Sequence, residues 1–165
     1  MVEPKQHTVE SIREILATVL DPEIPVLSVL EMGIIRNIAV ESEGVFITIT
    51  PTYSGCPAIH VMEEEIRSVL LRNGINTVKI KTIFTPAWTT GWLSENAKLK
   101  LKEYGIAPPT DVHLQQLLQI ELPPPSCPYC TSKETELRSQ FGSTACKAFY
   151  FCSSCRQPFE YFKPL

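Results

Sequence analysis

The sequence predicts an α+β fold in two pieces, a small two-layer α-β-β-α-β-α domain followed by a four-cysteine zinc ribbon built on a β-hairpin. Three observations carry that reading. Helical and strand periodicities alternate over the first two-thirds of the 165 residues, proline runs interrupt the chain after them, and five of the six cysteines crowd into the last 39 residues. The length suits one ordinary domain, or a domain of about 100 residues with an appendage. Hydrophobic residues make up 44% of the chain and charged residues 20%, enough to bury a core. No apolar run approaches the roughly 20 residues that a membrane span needs, so no membrane association is expected. The net charge of -3 removes the long-range attraction on which most nucleic-acid binders depend. The first six residues lack a basic segment followed by an apolar one, which points to the cytoplasm and to reduced thiols.

Val9, Ile12, Ile15, Leu16, Val19 and Leu20 recur at three- and four-residue steps, predicting a helix over 8–20 with Thr8 or Ser11 as its cap. Asp21-Pro22-Glu23-Ile24-Pro25 must end it, because both prolines lack an amide donor and push the residues before them out of the helical region. Val29 to Val40 is β-branched and apolar, and Glu41-Ser42-Glu43-Gly44 turns the chain into Val45–Thr50, which reads as a hairpin. Ile59, Met62, Ile66, Val69 and Leu70 then repeat at helical spacing up to Asn73-Gly74. Thr77–Phe84 alternates as a third strand. Ser94–Tyr104 follows as a helix capped by Ser94 and closed by Gly105.

Prolines set the expected boundaries. Pro108-Pro109 opens a segment that ends in Pro123-Pro124-Pro125, giving a domain over 1–107, a proline-bounded linker over 108–125 and a metal domain over 126–165. Val112, Leu114, Leu117, Leu118 and Ile120 are too many apolar residues for a bare tether, so a short docking helix is expected inside the linker. Neither part is basic: residues 1–107 carry ten basic and thirteen acidic side chains, and residues 108–165 five of each.

Cys56 sits at a strand-to-helix turn with Pro57 at the first helical position, which places it about at the N-cap. A thiol there faces the positive end of the helix dipole, which favours thiolate and so nucleophilic attack or metal ligation; simple burial of a small apolar side chain competes with that reading. His60, one turn later, is the nearest imidazole, and a surface position suits it better than a catalytic one. Asp21, Glu23 and Glu31 approach Cys56 only through tertiary contact, so no triad is readable. Glu63-Glu64-Glu65 reads as a solvated helix face, and Trp88 and Trp92 are evenly balanced between capping a core and anchoring a partner.

Cys127-Pro-Tyr-Cys130 and Cys152-Ser-Ser-Cys155 are two C-x2-C knuckles with twenty-one residues between them, near the spacing of four-thiolate zinc sites. Each knuckle aims two sulfurs at one centre, and too few apolar residues remain around them to fold without metal. A closed four-ligand set implies a structural zinc, with an iron–sulfur cluster as the alternative user of the same thiolates. Lys147–Phe151 and Phe159–Phe162 read as ribbon strands. Cys146 either replaces a knuckle ligand or is a second exposed thiol that cooperates with Cys56.

Asp21–Pro25, Glu31–Asn37, Pro51–Pro57, Pro86–Thr90 and Phe141–Lys147 together resemble the PaaD family, the D components of the bacterial phenylacetyl-CoA epoxidase system. Residues 1–107 are also similar to the SufT-like iron–sulfur assembly factors, whose D-P-E-x-P loop corresponds to Asp21–Pro25 and whose T-x-x-x-C turn corresponds to Thr52 and Cys56. Glu31 stands where that family usually has Asp. The resemblance implies a cytoplasmic role in aerobic phenylacetate catabolism beside the oxygenase and reductase components of the epoxidase, with Cys56 transiently holding iron or a cluster. The chain offers no Glu-x-x-His pair of the kind that builds a di-iron carboxylate centre, which argues that it matures or scaffolds the oxygenase rather than being it. A thiol-redox enzyme and a nucleic-acid-binding ribbon are weaker readings, and homodimerisation is left open.

Overall fold

The computed structural model describes residues 7–110 and 123–164. The expected linker helix over Val112–Ile120 and the N-terminal segment Met1–Gln6 lie outside the described residues. The described chain divides into two compact units between Trp88 and Thr89.

In the first unit, α1 (Val9–Leu16), β1 (Ile35–Glu41), β2 (Gly44–Ile49), α2 (Ala58–Arg72) and β3 (Val78–Thr82) follow one another. β1 and β2 are an antiparallel hairpin, β3 adds parallel to β2, and the sheet order is β1-β2-β3. The parallel pairing follows from α2, which carries the chain back across the sheet before β3 begins. α1 packs on α2 and β1, and α2 on β3, giving the two layers. Ile12, Leu16, Ile47, Ile49, Met62, Ile66 and Leu70, buried to within 1% exposure, line the space between them.

Thr8 caps α1 in a reciprocal box with Ser11: the Ser11 amide donates to Thr8 Oγ1 at 3.2 Å and the Thr8 amide to Ser11 Oγ at 2.9 Å. α1 stops at Leu16 instead of Leu20, because Val19 and Leu20 turn towards the 21–34 loop: the Val29 amide donates to the Val19 carbonyl at 2.9 Å, and Leu20 bridges Ser28. β1 likewise begins at Ile35 instead of Val29. Residues 29–33 are turns, with Gly33 at φ 67, so Val29 and Met32 are buried without being strand.

Among its described residues the second unit contains a 3-10 turn (Thr90–Trp92), α3 (Glu95–Tyr104), β4 (Ile106–Ala107), β5 (Thr135–Ser139), β6 (Lys147–Cys152) and β7 (Pro158–Phe162). Ser94 caps α3 by accepting from the Ala97 amide at 3.0 Å, and Gly105 closes it at φ 91. The sheet order is β4-β7-β6-β5. β6 makes antiparallel hairpins with β5 and β7, and β4 adds parallel to β7 through Ile106↔Glu160 and Ala107↔Tyr161. β4 thus belongs to the ribbon sheet and α3 lies in the same unit, so the division between Trp88 and Thr89 differs from the boundary expected at 107/108. Ala107, Cys127, Cys152, Phe159 and Tyr161 form the ribbon core, with Tyr150 stacked on Phe159 and edge-on to Tyr161.

Candidate metal centre and the Cys56 turn

The two knuckles share one backbone design. The amide of the leading cysteine donates five residues forward, Cys127 to the Ser132 carbonyl at 2.9 Å and Cys152 to the Gln157 carbonyl at 3.0 Å. The residue after each second cysteine is left-handed, Thr131 at φ 63 and Arg156 at φ 59. Neither is glycine, so each turn holds strain that the rest of the ribbon sustains. Between the knuckles, the Ser132 and Ser154 hydroxyls lie 2.8 Å apart, and Ser154 donates to the Glu134 carboxylate at 3.0 Å.

This frame brings together the sulfurs of Cys127, Cys130, Cys152 and Cys155, all within 4.8 Å of one another. Across the knuckles, the Cys127–Cys155 and Cys130–Cys152 sulfurs are each 3.6 Å apart. A disulfide needs about 2.05 Å. A tetrahedron with metal–sulfur bonds of about 2.3 Å has edges of roughly 3.8 Å, so the set fits a single metal ion. The Cys155 amide, followed by lesser contributions that include Cys130 and the Ser154 amide, brings the Cys152 thiol down to about 7, while burial pushes Cys155 up to about 12. Such a group gives up its first proton near neutrality and holds its last, and a cation at the centre is what lets all four ionise.

The knuckle is seated on α3. Gly105 ends that helix at φ 91, which favours glycine, and a Cβ there would lie 2.6 Å from the hydroxyl oxygen of Tyr129 in the first knuckle. Elsewhere in the ribbon, Lys147 is 3% exposed and pairs with Glu160 at 2.9 Å. Glu160 also accepts from the amide and hydroxyl of Ser143, which ties the Phe141–Lys147 loop to β7. Cys146 is buried in that loop with its sulfur 3.1 Å from the Thr144 hydroxyl. It is neither in the four-sulfur group nor exposed, which overturns both roles the sequence suggested for it.

In the first unit, β2 ends at Ile49, and the turn through Thr52 and Cys56 leads into α2. α2 begins at Ala58 with Pro57 as its N-cap, one residue later than Cys56 as N-cap would require, although Pro57 already has helical angles at φ -68 and ψ -25. Cys56 is 6% exposed. Burial pushes its thiol up. The Ala58 amide and the Thr52 hydroxyl pull the other way, and the nearby Glu23 and Asp21 carboxylates push it further up. The helix-terminus argument thus names a real contact, the Ala58 amide, that burial outweighs.

Asp21 holds the loop in place by accepting from the Glu23 amide at 2.7 Å and the Ile24 amide at 2.8 Å. Glu31 accepts from the Ser28 amide and hydroxyl at 3.0 and 3.1 Å. His60 is exposed, its Nδ1 3.9 Å from Glu63, and Glu63 accepts from Thr82 at 2.6 Å. Trp88 is 4% exposed and its indole donates to the Met32 carbonyl at 2.8 Å, so it caps the core. The Thr52 hydroxyl at Cys56 lies within the T-x-x-x-C turn, whereas no local pattern announces the Lys147–Glu160 pair, because it is a tertiary contact. Among the described residues, no helix is long and apolar enough to cross a membrane.

Comparison with known proteins matches the two halves separately. Residues 9–81 match the iron–sulfur cluster assembly protein family, and residues 116–163 match the PaaD zinc beta ribbon domain. A solved structure of a domain of unknown function (DUF59) from Bacillus anthracis superposes with a TM-score of 0.53 at 24% identity, covering 56% of this chain and 89% of that one, a likeness of fold. An Fe-S protein maturation auxiliary factor from Porphyromonas gingivalis is 42% identical over 97 residues, 58% of this chain and 91% of its own. A protein of Escherichia coli (strain K12), named as the D component of 1,2-phenylacetyl-CoA epoxidase, is 46% identical over 155 residues, 94% of this chain and 92% of its own. Assembly-type domain and cysteine ribbon are thus shared in one order along almost the whole of both chains, and this chain belongs to the PaaD family.

Proposed function

We propose that this chain is an accessory maturation factor of a phenylacetyl-CoA epoxidase system, supplying iron or an iron–sulfur centre to the oxygenase or reductase components through Cys56. The observation that carries the reading is the pairing in one chain of a domain similar to Fe-S maturation factors with the ribbon of the PaaD family. Cys56, Thr52, Asp21 and Glu23 supply the chemistry. A cation arriving at the turn meets a thiol and two carboxylates, and the carboxylates that oppose the thiolate in its absence favour the metal-bound thiolate in its presence. Iron or a cluster is cargo in this scheme. The ribbon thiols Cys127, Cys130, Cys152 and Cys155 hold zinc as a structural ion. Their separations suit one ion better than a cluster, whose own sulfides would spread the thiolates apart.

The test is Cys56→Ser in cells producing the epoxidase components. The variant keeps its fold and ribbon metal, and the epoxidase components purified beside it lack iron or acid-labile sulfide. Full loading of those components by the variant overturns the proposal. A second reading, a scaffold with an inert Cys56, draws on the burial of that thiol. It predicts that the components co-purify and are loaded whether or not Cys56 is present.

A further inference from the structure

The four ribbon sulfurs do not share one environment. Cys127 and Cys152 are 1% and 0% exposed, Cys155 is intermediate, and Cys130 is open to solvent. The sulfur across the knuckles from Cys130 is that of Cys152, at 3.6 Å. From this pairing of one exposed and one buried cysteine, their sulfurs 3.6 Å apart, we propose that the ribbon is a reversible redox switch, in which a hydroperoxide oxidises Cys130, Cys152 resolves it as a disulfide, and the metal is released.

The oxidant is a hydroperoxide, which attacks sulfur only where it can reach it. The Cys130 thiolate takes the distal OH oxygen, the O–O bond breaks, and the alkoxide leaves to be protonated to an alcohol (hydroxide and water where the oxidant is hydrogen peroxide), giving a sulfenic acid. The Cys152 thiolate then attacks the Cys130 sulfur, the S–O bond breaks, hydroxide leaves to be protonated to water, and an S–S bond forms. Two electrons pass from the sulfurs to the peroxide, and two protons are taken up. Closing the sulfurs from 3.6 Å to the disulfide length of about 2.05 Å asks for a side-chain adjustment and no rearrangement of the knuckles. Half of the donor set is lost and the ion leaves. The new bond joins the same two knuckles that the ion joined, so the oxidised ribbon stays clipped together, and a dithiol restores it.

The alternatives are distinguishable from the same geometry. Cys127 faces Cys155 at the same 3.6 Å, but Cys127 is shielded and Cys155 only partly exposed, so first attack on that pair is disfavoured against the exposed Cys130. Cys56 and Cys146 are buried and stand outside the four-sulfur group, so their oxidation would not release the ribbon metal.

The experiment takes the full chain loaded with zinc, adds hydrogen peroxide, follows zinc with a chromogenic chelator, and maps the disulfides by mass spectrometry. The expected result is stoichiometric zinc release, loss of a pair of titratable thiols, a Cys130–Cys152 linkage, and recovery of zinc binding after a dithiol. Cys130→His keeps a zinc ligand but removes the oxidisable sulfur, and it should release zinc about tenfold more slowly or not at all. Should that variant fail to fold, the linkage map of the unmodified chain decides. A Cys127–Cys155 linkage, a linkage to Cys56 or Cys146, or zinc retained while Cys56 is oxidised overturns the proposal.

Discussion

Cys56 and Cys152 both accept hydrogen bonds from backbone amides at a turn, yet the first thiol is pushed up and the second is brought down to about 7. An amide contact is common to both, so its presence alone does not decide the difference; the number of amides and the neighbours do. Cys56 is buried beside Glu23 and Asp21, and burial and negative charge both oppose its ionisation. Cys152 accepts from two amides, those of Cys155 and Ser154, and lies beside Cys130, which helps to stabilise its anion. A turn amide prepares a sulfur for ligation only where the neighbours allow the charge. The ribbon is therefore ready for a resident cation, while the Cys56 turn has to be ionised by whatever arrives there.

Removing the ribbon metal breaks this comparison most severely. Structural metal sites contribute roughly 10–16 kcal/mol of binding to small domains, so chelation or Cys152→Ala should abolish the β5–β7 strand signals in amide NMR spectra and leave those of α1 to β3 in place. Protons compete with the ion for the thiolates. Affinity measured against a chelator should therefore fall as the pH falls through the Cys152 value of about 7. Affinity that is flat between pH 8 and pH 6 would show that the thiolates are not the ligands.

A smaller but still large effect separates the metal from the rest of the ribbon's stability. Lys147 is 3% exposed and its ammonium pairs with Glu160 at 2.9 Å. Glu160→Gln leaves that charge without its counter-ion, at a cost of about 3 kcal/mol. With zinc in place, the loss should appear as a lower denaturation midpoint. Burial opposes ionisation of Glu160, but the Ser143 amide and Lys147 outweigh it and hold the carboxyl below its ordinary value. Its contribution is thus present above the ordinary carboxylate range and is lost as the pH falls through the depressed value. Unchanged stability in Glu160→Gln would mean that the metal alone holds the ribbon.

How much of this is legible in the sequence follows from the range of the forces. The C-x2-C knuckles are local, and their spacing alone places four sulfurs at one centre. The caps at Thr8 and Ser94, the stop at Gly105 and the hairpin turn at Gly44 are likewise set within a few residues. β5 escapes a sequence reading because Thr135–Ser139 is a polar edge strand in which only Thr135 is buried, leaving almost no alternation to read. β4 escapes it because a two-residue strand has no period. The ribbon's N-terminal extent therefore depends on a tertiary pairing with β7 that no local pattern announces. Burial of Cys56 and Cys146 is also unreadable, because a free cysteine looks the same in sequence whether it packs or reacts.

The Cys56 side of the comparison can be sharpened by charge alone. Glu23 is a cause of the raised Cys56 thiol, so Glu23→Gln should lower it and raise the thiolate fraction at neutral pH. Alkylation by iodoacetamide should then run several-fold faster than in the unmodified chain at low salt, with a smaller gain as salt screens the pair. An unchanged rate would leave burial, through its effect on access, as the whole cause of low reactivity.

The smallest effect tests whether the knuckles hold their sulfurs under strain. Thr131 and Arg156 occupy left-handed backbone at φ 63 and φ 59, which costs a side-chain-bearing residue roughly 1–2 kcal/mol. Glycine removes that cost but adds about 0.5–1 kcal/mol of unfolded-state entropy. Thr131→Gly and Arg156→Gly should therefore each stabilise the ribbon by only about 0.5 kcal/mol, read as a small upward shift in the denaturation midpoint of the zinc-loaded protein. Thr131 has more to lose, because its hydroxyl donates to the Cys130 carbonyl at 2.6 Å, so Arg156→Gly should show the larger gain. The two knuckles share a backbone frame but differ in this side chain. Equal gains would mean that the threonine hydroxyl adds nothing to the exposed Cys130 turn.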